Sequence, residues 1–129
     1  MNKFKTIILL FFMSISMMLS ACVEEVNDIR VEGESTIISG TEAREIYENN
    51  VGVILLDVRN QDEFDVHHIE GSLLIPYTEL ESRLSELPDK DAIIIVFCRA
   101  GRRSAIVASI LVENGYTNVY DMQEITNWN

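Results

Sequence analysis

The segment Ala92–Phe97 reads AIIIVF, with no polar residue to mark a wet face. A strand with one face in water alternates in polarity. An unbroken apolar run of this length fits a strand covered on both faces, as in a parallel sheet between helices. Val51–Val58, VGVILLDV, is nearly as continuous and predicts a second such strand. Thr36–Ile38, Leu73–Ile75 and Val119–Tyr120 predict shorter strands. Between them run helical segments. Ser39 stands three residues before Glu42, a capping-box spacing that opens a helix over Gly40–Asn49. Gln61–Val66 predicts one short helical turn. Thr78–Leu87 carries Leu80, Leu84 and Leu87 at helical spacing and ends at Pro88. Arg103–Asn114 presents Ile106, Val107, Ile110 and Leu111 on one face and stops at Gly115. Alternation of strand and helix predicts an α/β domain, a small mostly parallel sheet flanked by helices.

The chain has 129 residues, the size of one domain. Its first residues read differently from the rest. Lys3 and Lys5 precede an apolar run, Ile7–Leu19, too short for a spanning helix but suited to a secretory leader. The run ends in Leu19-Ser20-Ala21-Cys22, which resembles the bacterial lipobox. That resemblance implies cleavage after residue 21, lipidation of Cys22, and a lipoprotein held on the outer side of a membrane, periplasmic or at the cell surface. Residues 22–34 are acidic and without periodicity, and are expected to be a solvated tether. The domain is expected over 35–129.

Net charge is −11, and loss of the leader's lysines leaves the remainder more acidic still. Nucleic acid is therefore an unfavourable partner. So is an anionic lipid surface by charge alone, and membrane attachment would rest on the acyl chains. Only two cysteines occur. With Cys22 lipidated, Cys98 is the one thiol and no internal disulfide can form. His67 and His68 are adjacent, which points their side chains apart. With no second thiol nearby, neither a metal nor another cofactor is expected. The domain is expected to be a monomer.

Chemistry concentrates in Phe97-Cys98-Arg99-Ala100-Gly101-Arg102-Arg103-Ser104, between the most apolar strand and a helix. In open α/β sheets ligands bind beyond the carboxyl ends of strands, where Cys98 falls. The small residues Ala100 and Gly101 let backbone N–H groups turn inward and form an anion-binding nest at a helix N-terminus. Arg99, Arg102 and Arg103 gather three cations within five positions of an acidic chain. The same field favours a thiolate over a thiol. A structural cysteine beside a solvated arginine cluster is the plainer alternative.

These residues resemble the active-site loop of the rhodanese family. Asp57-Val58-Arg59 with Glu63-Phe64 is similar to that family's "DVR…EF" segment. His68-Ile69-Glu70-Gly71-Ser72 with Ile75-Pro76 is similar to its "HIPGA…IP" segment. Gly115-Tyr116, Val119-Tyr120 and Trp128 are similar to its closing segment. The likeness runs from about Ile37 to Trp128. Glu70 departs from the family's Pro, and Gln123-Glu124 from a common Gly pair. The resemblance implies the rhodanese-like fold and a sulfurtransferase. Cys98 would attack the outer sulfur of thiosulfate, release sulfite, and pass its persulfide sulfur to a thiol or cyanide. Arg99 to Ser104 would supply the amide cradle, with Arg102 or Arg103 on the sulfonate.

Asp57 and Arg59 follow a buried strand and would support that loop, or form a structural ion pair, Arg59 with Glu63 being one arrangement. His68 would satisfy hydrogen bonds in a turn, and Trp128 would pack in the core. Rival functions remain at this level. Cysteine phosphatases and arsenate reductases use Cys-x5-Arg, where this chain has Ser104 and its arginines fall one and two places early. A persulfide carrier would use the same cysteine with other partners, and a non-catalytic rhodanese-like binding module commonly lacks it.

Overall fold

The computed structural model describes residues 33–129. The leader expected over 1–21, Cys22 and nearly all of the acidic tether lie outside the described residues. Five strands form one sheet: β1 (Thr36–Ile37), β2 (Ile54–Asp57), β3 (Leu73–Leu74), β4 (Ile93–Cys98) and β5 (Asn118–Glu124). Their order is β1-β5-β4-β2-β3, and every pairing is parallel. Three α-helices accompany them: α1 (Gly40–Asn49), α2 (Gln61–Val66) and α3 (Arg102–Glu113). Two 3-10 helices, Glu81–Glu86 and Ile125–Trp128, complete the fold.

β4 is the middle strand, and its unbroken apolar sequence has the physical cause expected of it. Side chains alternate between faces with period two. Ile94, Val96 and Cys98 join Leu56, Val58, Val107, Ala108 and Leu111 in the cluster under α3. Ile95 and Phe97 join Leu55, Met122 and Ala43 in the cluster under α1. Both faces of β4 are dry, so neither set can be polar. The same alternation puts Cys98 on the α3 face, at the strand's last residue.

Local chemistry starts α1 as its spacing requires. Ser39 Oγ accepts from the Glu42 amide at 3.2 Å, and Glu42 Oε2 accepts from the Ser39 amide at 2.7 Å. The reciprocal pair satisfies two donors that the helix leaves orphaned. Gly40 follows because nothing larger fits: a Cβ there would stand 1.5 Å from the Asn127 carbonyl oxygen.

The structure corrects several expected boundaries; β4, for one, runs from Ile93 to Cys98 and not from Ala92 to Phe97. Strand β2 begins at Ile54, because the chain reverses through Val51 and Gly52 (φ 78°) after α1, leaving Val51 exposed. Thr78–Leu87 is a turn followed by a 3-10 helix with a break at Arg83 (φ −119°, ψ 15°), and is not α-helical. Here Ser82 Oγ donates to the Glu79 carbonyl at 2.8 Å, a local bond that competes with the helical ladder. Leu80 and Leu87 still reach the core. Helix α3 begins one residue earlier than expected, at Arg102. Strand β5 runs to Glu124, well past Tyr120, through a bulge: Val96 pairs with Asp121 and Phe97 with Gln123, so Met122 is the extra residue.

Leu56 is fully buried between β4 and α3. Leu56→Ala should lower stability by about 3 kcal/mol, the range for a large-to-small core change, whereas Val51→Ala should change it by less than about 0.5 kcal/mol. Urea denaturation midpoints of the two variants would check the contrast.

Candidate active site

Cys98 ends β4, and α3 starts four residues later. The connection must reverse direction within Arg99, Ala100 and Gly101. Gly101 makes this possible with φ 86°, in the left-handed region, and a Cβ on it would approach Gln123 Cβ to 3.2 Å. Gln123 is itself left-handed (φ 68°), held by its amide's 2.8 Å donation to Asp121 Oδ1. The position that departs from the family's Gly pair thus keeps a glycine-like backbone through a side-chain bond.

Cys98 Sγ lies where this turn meets the helix. The Gly101 amide donates to it at 3.1 Å and the Ser104 amide at 3.4 Å. Cys98 is also a member of the buried apolar cluster under α3. The thiol is 1% exposed. Ser104 is fully buried, and its Oγ donates to the Gly101 carbonyl at 3.0 Å, which ties the first helical turn to the loop. The amides of Arg102 and Arg103 begin α3 and so have no carbonyl four residues back to bond. The loop therefore concentrates N–H dipoles around one sulfur.

The three arginines divide. Arg103 is half-buried and forks onto Glu63 of α2, with Nη1 to Oε2 at 2.7 Å and Nη2 to Oε1 at 2.9 Å. This pair holds the Glu63 carboxyl down at about 2, chiefly through the Arg103 hydrogen bonds. It raises Arg103 above the ordinary guanidinium value, with the nearby Cys98 sulfur adding to the effect. Arg99 and Arg102 are exposed. Arg99 faces a cleft beside α2, and Arg102 faces another beside Tyr77 and Ile106.

Asp57 and Arg59 sit at the neighbouring end of β2. Arg59 does not pair with Glu63. It forks onto Asp57, with Nη2 to Oδ2 at 2.7 Å and Nε to Oδ1 at 3.0 Å, and both side chains are buried. Arg59 Nη2 also donates to the His67 carbonyl at 2.7 Å, which ties the end of α2 to β2. The adjacent Val58 amide donates to the Phe97 carbonyl at 3.1 Å, one residue before Cys98. Asp57 and Arg59 thus brace the sheet edge without touching the sulfur. His68 stacks on Phe64 with ring centroids 4.0 Å apart, and its Nδ1 bonds the Phe64 carbonyl. Trp128 packs on the α1-face cluster, edge-on to Tyr47 and under Arg44.

The family model of the rhodanese-like domain matches residues 39–128. This chain belongs to the rhodanese-like domain family. Thiosulfate sulfurtransferase PspE of Escherichia coli (strain K12) is 38% identical over 65 residues, 50% of this chain and 62% of its own. Thiosulfate sulfurtransferase GlpE of Coxiella burnetii is 35% identical over 85 residues, covering 66% of this chain and 78% of its own. The chain thus spans less than two thirds of PspE's length. A rhodanese-like domain protein from Staphylococcus aureus has a solved structure with TM-score 0.66 and 26% identity, matching 73% of this chain and 91% of that one. The rhodanese-like α/β fold, with its parallel sheet flanked by helices, is the architecture of this domain.

Two features of the site had no sequence signal. Glu63 and Arg103 lie 40 residues apart, and no local spacing joins them. Tyr77, on a turn before the 3-10 helix, comes to the Arg102 cleft only through packing.

The Glu63–Arg103 pair sets an acid response. The Glu63 pKa is lowered on folding, so the pair's stabilisation is present above its unfolded value of 4.5 and is lost as pH falls toward 2. Glu63→Gln should cost about 1–2 kcal/mol at pH 7, the scale of a partly exposed charge-assisted fork. The difference from wild type should shrink between pH 4.5 and pH 2, read as chemical denaturation across that range.

Proposed function

We propose that this chain is a sulfurtransferase that takes sulfane sulfur from thiosulfate or a similar donor, holds it as a persulfide on Cys98, and passes it to a thiol or to cyanide. The observation that carries this reading is the pair of amide hydrogen bonds from Gly101 and Ser104 to Cys98 Sγ. Donors fixed before reaction stabilise the anion without having to reorganise. A thiolate is the nucleophile the first step needs, and the two amides already aim at the sulfur that would carry the charge.

In the first step the thiolate attacks the outer sulfur of thiosulfate. A new S–S bond forms at Sγ, the sulfur–sulfonate bond breaks, and its electron pair leaves with sulfite. Total charge is conserved, and sulfite is basic too weakly to need a general acid. The N–H groups of the loop then face the anionic persulfide. Arg102 is the cation best suited to the sulfonate, because Arg103 is already matched by Glu63 and Arg102 lies open on the adjoining cleft. The names of the two relatives agree with this donor. A phosphatase reading is unsupported at the position that would need arginine. Ser104 stands there, buried and bonded to the loop.

The proposal extends to location. Through a lipidated Cys22 the domain would be held on the outer side of a membrane, periplasmic or at the cell surface, and would act there as a monomer. The support is the leader and lipobox of the sequence.

On exposure to thiosulfate the purified chain should gain the mass of one sulfur atom, and Cys98→Ser should abolish the gain. An unmodified wild-type mass after thiosulfate would refute thiosulfate as the donor, and an unmodified mass after inorganic polysulfide as well would refute the sulfurtransferase reading. Separately, cells expressing the wild type should incorporate a labelled fatty acid into the protein and retain it with membranes. Cys22→Ser should lose the label and the membrane retention, and a wild type without label would refute the anchor.

A further inference from the structure

Two clefts open beside the Cys98 loop, and the Glu63–Arg103 pair divides them, since Glu63 lines one and Arg103 the other. The Arg103 side, about 420 Å³, is bounded by Tyr77, Arg102 and Ile106, so its charges are all positive. That suits a compact anion. The Glu63 side, about 440 Å³, has a different chemistry. Its lining includes two apolar side chains, the buried Ile125 and Val66, which stands exposed at the end of α2. Its rim carries both signs. Arg99 and Asp62 are exposed there and have no ion-pair partner among the described residues, while His67 and Thr126 complete the edge. The cleft's other charged groups, Arg59 and Glu63, are already matched by Asp57 and Arg103.

The geometry of sulfur transfer says what such a cleft is for. Displacement at sulfur is collinear: the entering and leaving groups lie on opposite sides of the transferred atom. The acceptor's sulfur must therefore enter along the line by which sulfite left. Sulfite has no further body, but an organic acceptor does, and that body needs room beside the loop. The Arg102 side offers a second guanidinium and no anion. The Arg99 side offers one open cation, one open anion and apolar side chains in the same lining.

We infer that the Arg99 cleft binds the body of the acceptor, and that the acceptor is a zwitterionic amino-acid thiol. Its carboxylate faces Arg99, its ammonium faces Asp62, and the carbon that links them to the thiol lies against the apolar side chains Val66 and Ile125. This inference rests on the sulfurtransferase reading of Cys98. In the step itself the acceptor thiolate attacks the terminal sulfur of the persulfide. One S–S bond forms, the bond to Cys98 Sγ breaks, and its electron pair returns to Sγ. Two anions enter, and two leave as the acceptor persulfide and the Cys98 thiolate.

The test uses the full chain carrying Cys22→Ser, so that Cys98 is its sole thiol. Cys98 is loaded with thiosulfate and, in parallel, with inorganic polysulfide, and loading is read by mass. Discharge rates are then measured with L-cysteine, 3-mercaptopropionate, cysteamine and 2-mercaptoethanol. Each rate is divided by that for 2-mercaptoethanol and compared with wild type, which cancels the intrinsic reactivity of each thiol. Arg99→Gln should slow cysteine and 3-mercaptopropionate by about fivefold and leave cysteamine unchanged, the scale of an exposed charge pair. Asp62→Asn should slow cysteine and cysteamine by a similar factor. Both effects should shrink in about 1 M salt. Unchanged ratios in both variants would overturn the cleft, and a response in one variant alone would overturn the zwitterion. Loading by polysulfide but not by thiosulfate would sink the donor assignment and leave the acceptor ratios readable. Loading by neither would overturn both.

Discussion

The site depends on one junction: a strand buried on both faces delivers a cysteine directly beneath the first amides of a helix. Cys98 is the last residue of β4, and α3 begins at Arg102. Only three residues turn the chain, so the Gly101 and Ser104 amides cannot avoid the sulfur. The helix supplies N–H groups with no partner of their own at its start. The strand supplies rigidity, since β4 pairs on both sides and every side chain from Ile94 to Cys98 is buried. A cradle built on a surface loop would lack that anchorage.

Charge is distributed around the junction unevenly. The chain is strongly acidic, yet three arginines lie in one short loop. One of them, Arg103, is fixed by Glu63 and so becomes part of the frame. Its fork joins α2 to the start of α3 across the sheet edge. Asp57 and Arg59 do the same work lower down, joining β2 to the end of α2 through the His67 carbonyl. Arg99 and Arg102 remain exposed on opposite sides of the Glu63–Arg103 pair. The structural ion pairs thereby decide which cations stay open to small molecules.

The departure from the family pattern at Gln123 falls where the backbone can absorb it. Gln123 occupies a left-handed position, and the Asp121 side chain holds its amide there. The neighbouring bulge at Met122 lets β5 continue to Glu124, opposite Cys98. A left-handed backbone is thus held at a position without glycine, beside the loop that carries Cys98.

The strands' burial, the α1 cap, the chemical nature of the Cys98 loop and the family likeness were all legible in residue order. Each rests on contacts between neighbours in sequence: period-two apolarity in β4, Ser39 with Glu42, Cys98 with the amides three and six residues on. The helix type over Thr78–Leu87 was not legible, because leucine spacing reports the buried face and not whether the bonds run to the third or fourth residue. Nor was the role of Glu63, whose partner lies 40 residues away. The division of the arginines, the two clefts and the bulge in β5 followed only from packing. Sequence specifies interactions whose partners are near along the chain, whereas the pairing of distant charges depends on where the crossovers bring α2, α3 and the sheet edge together.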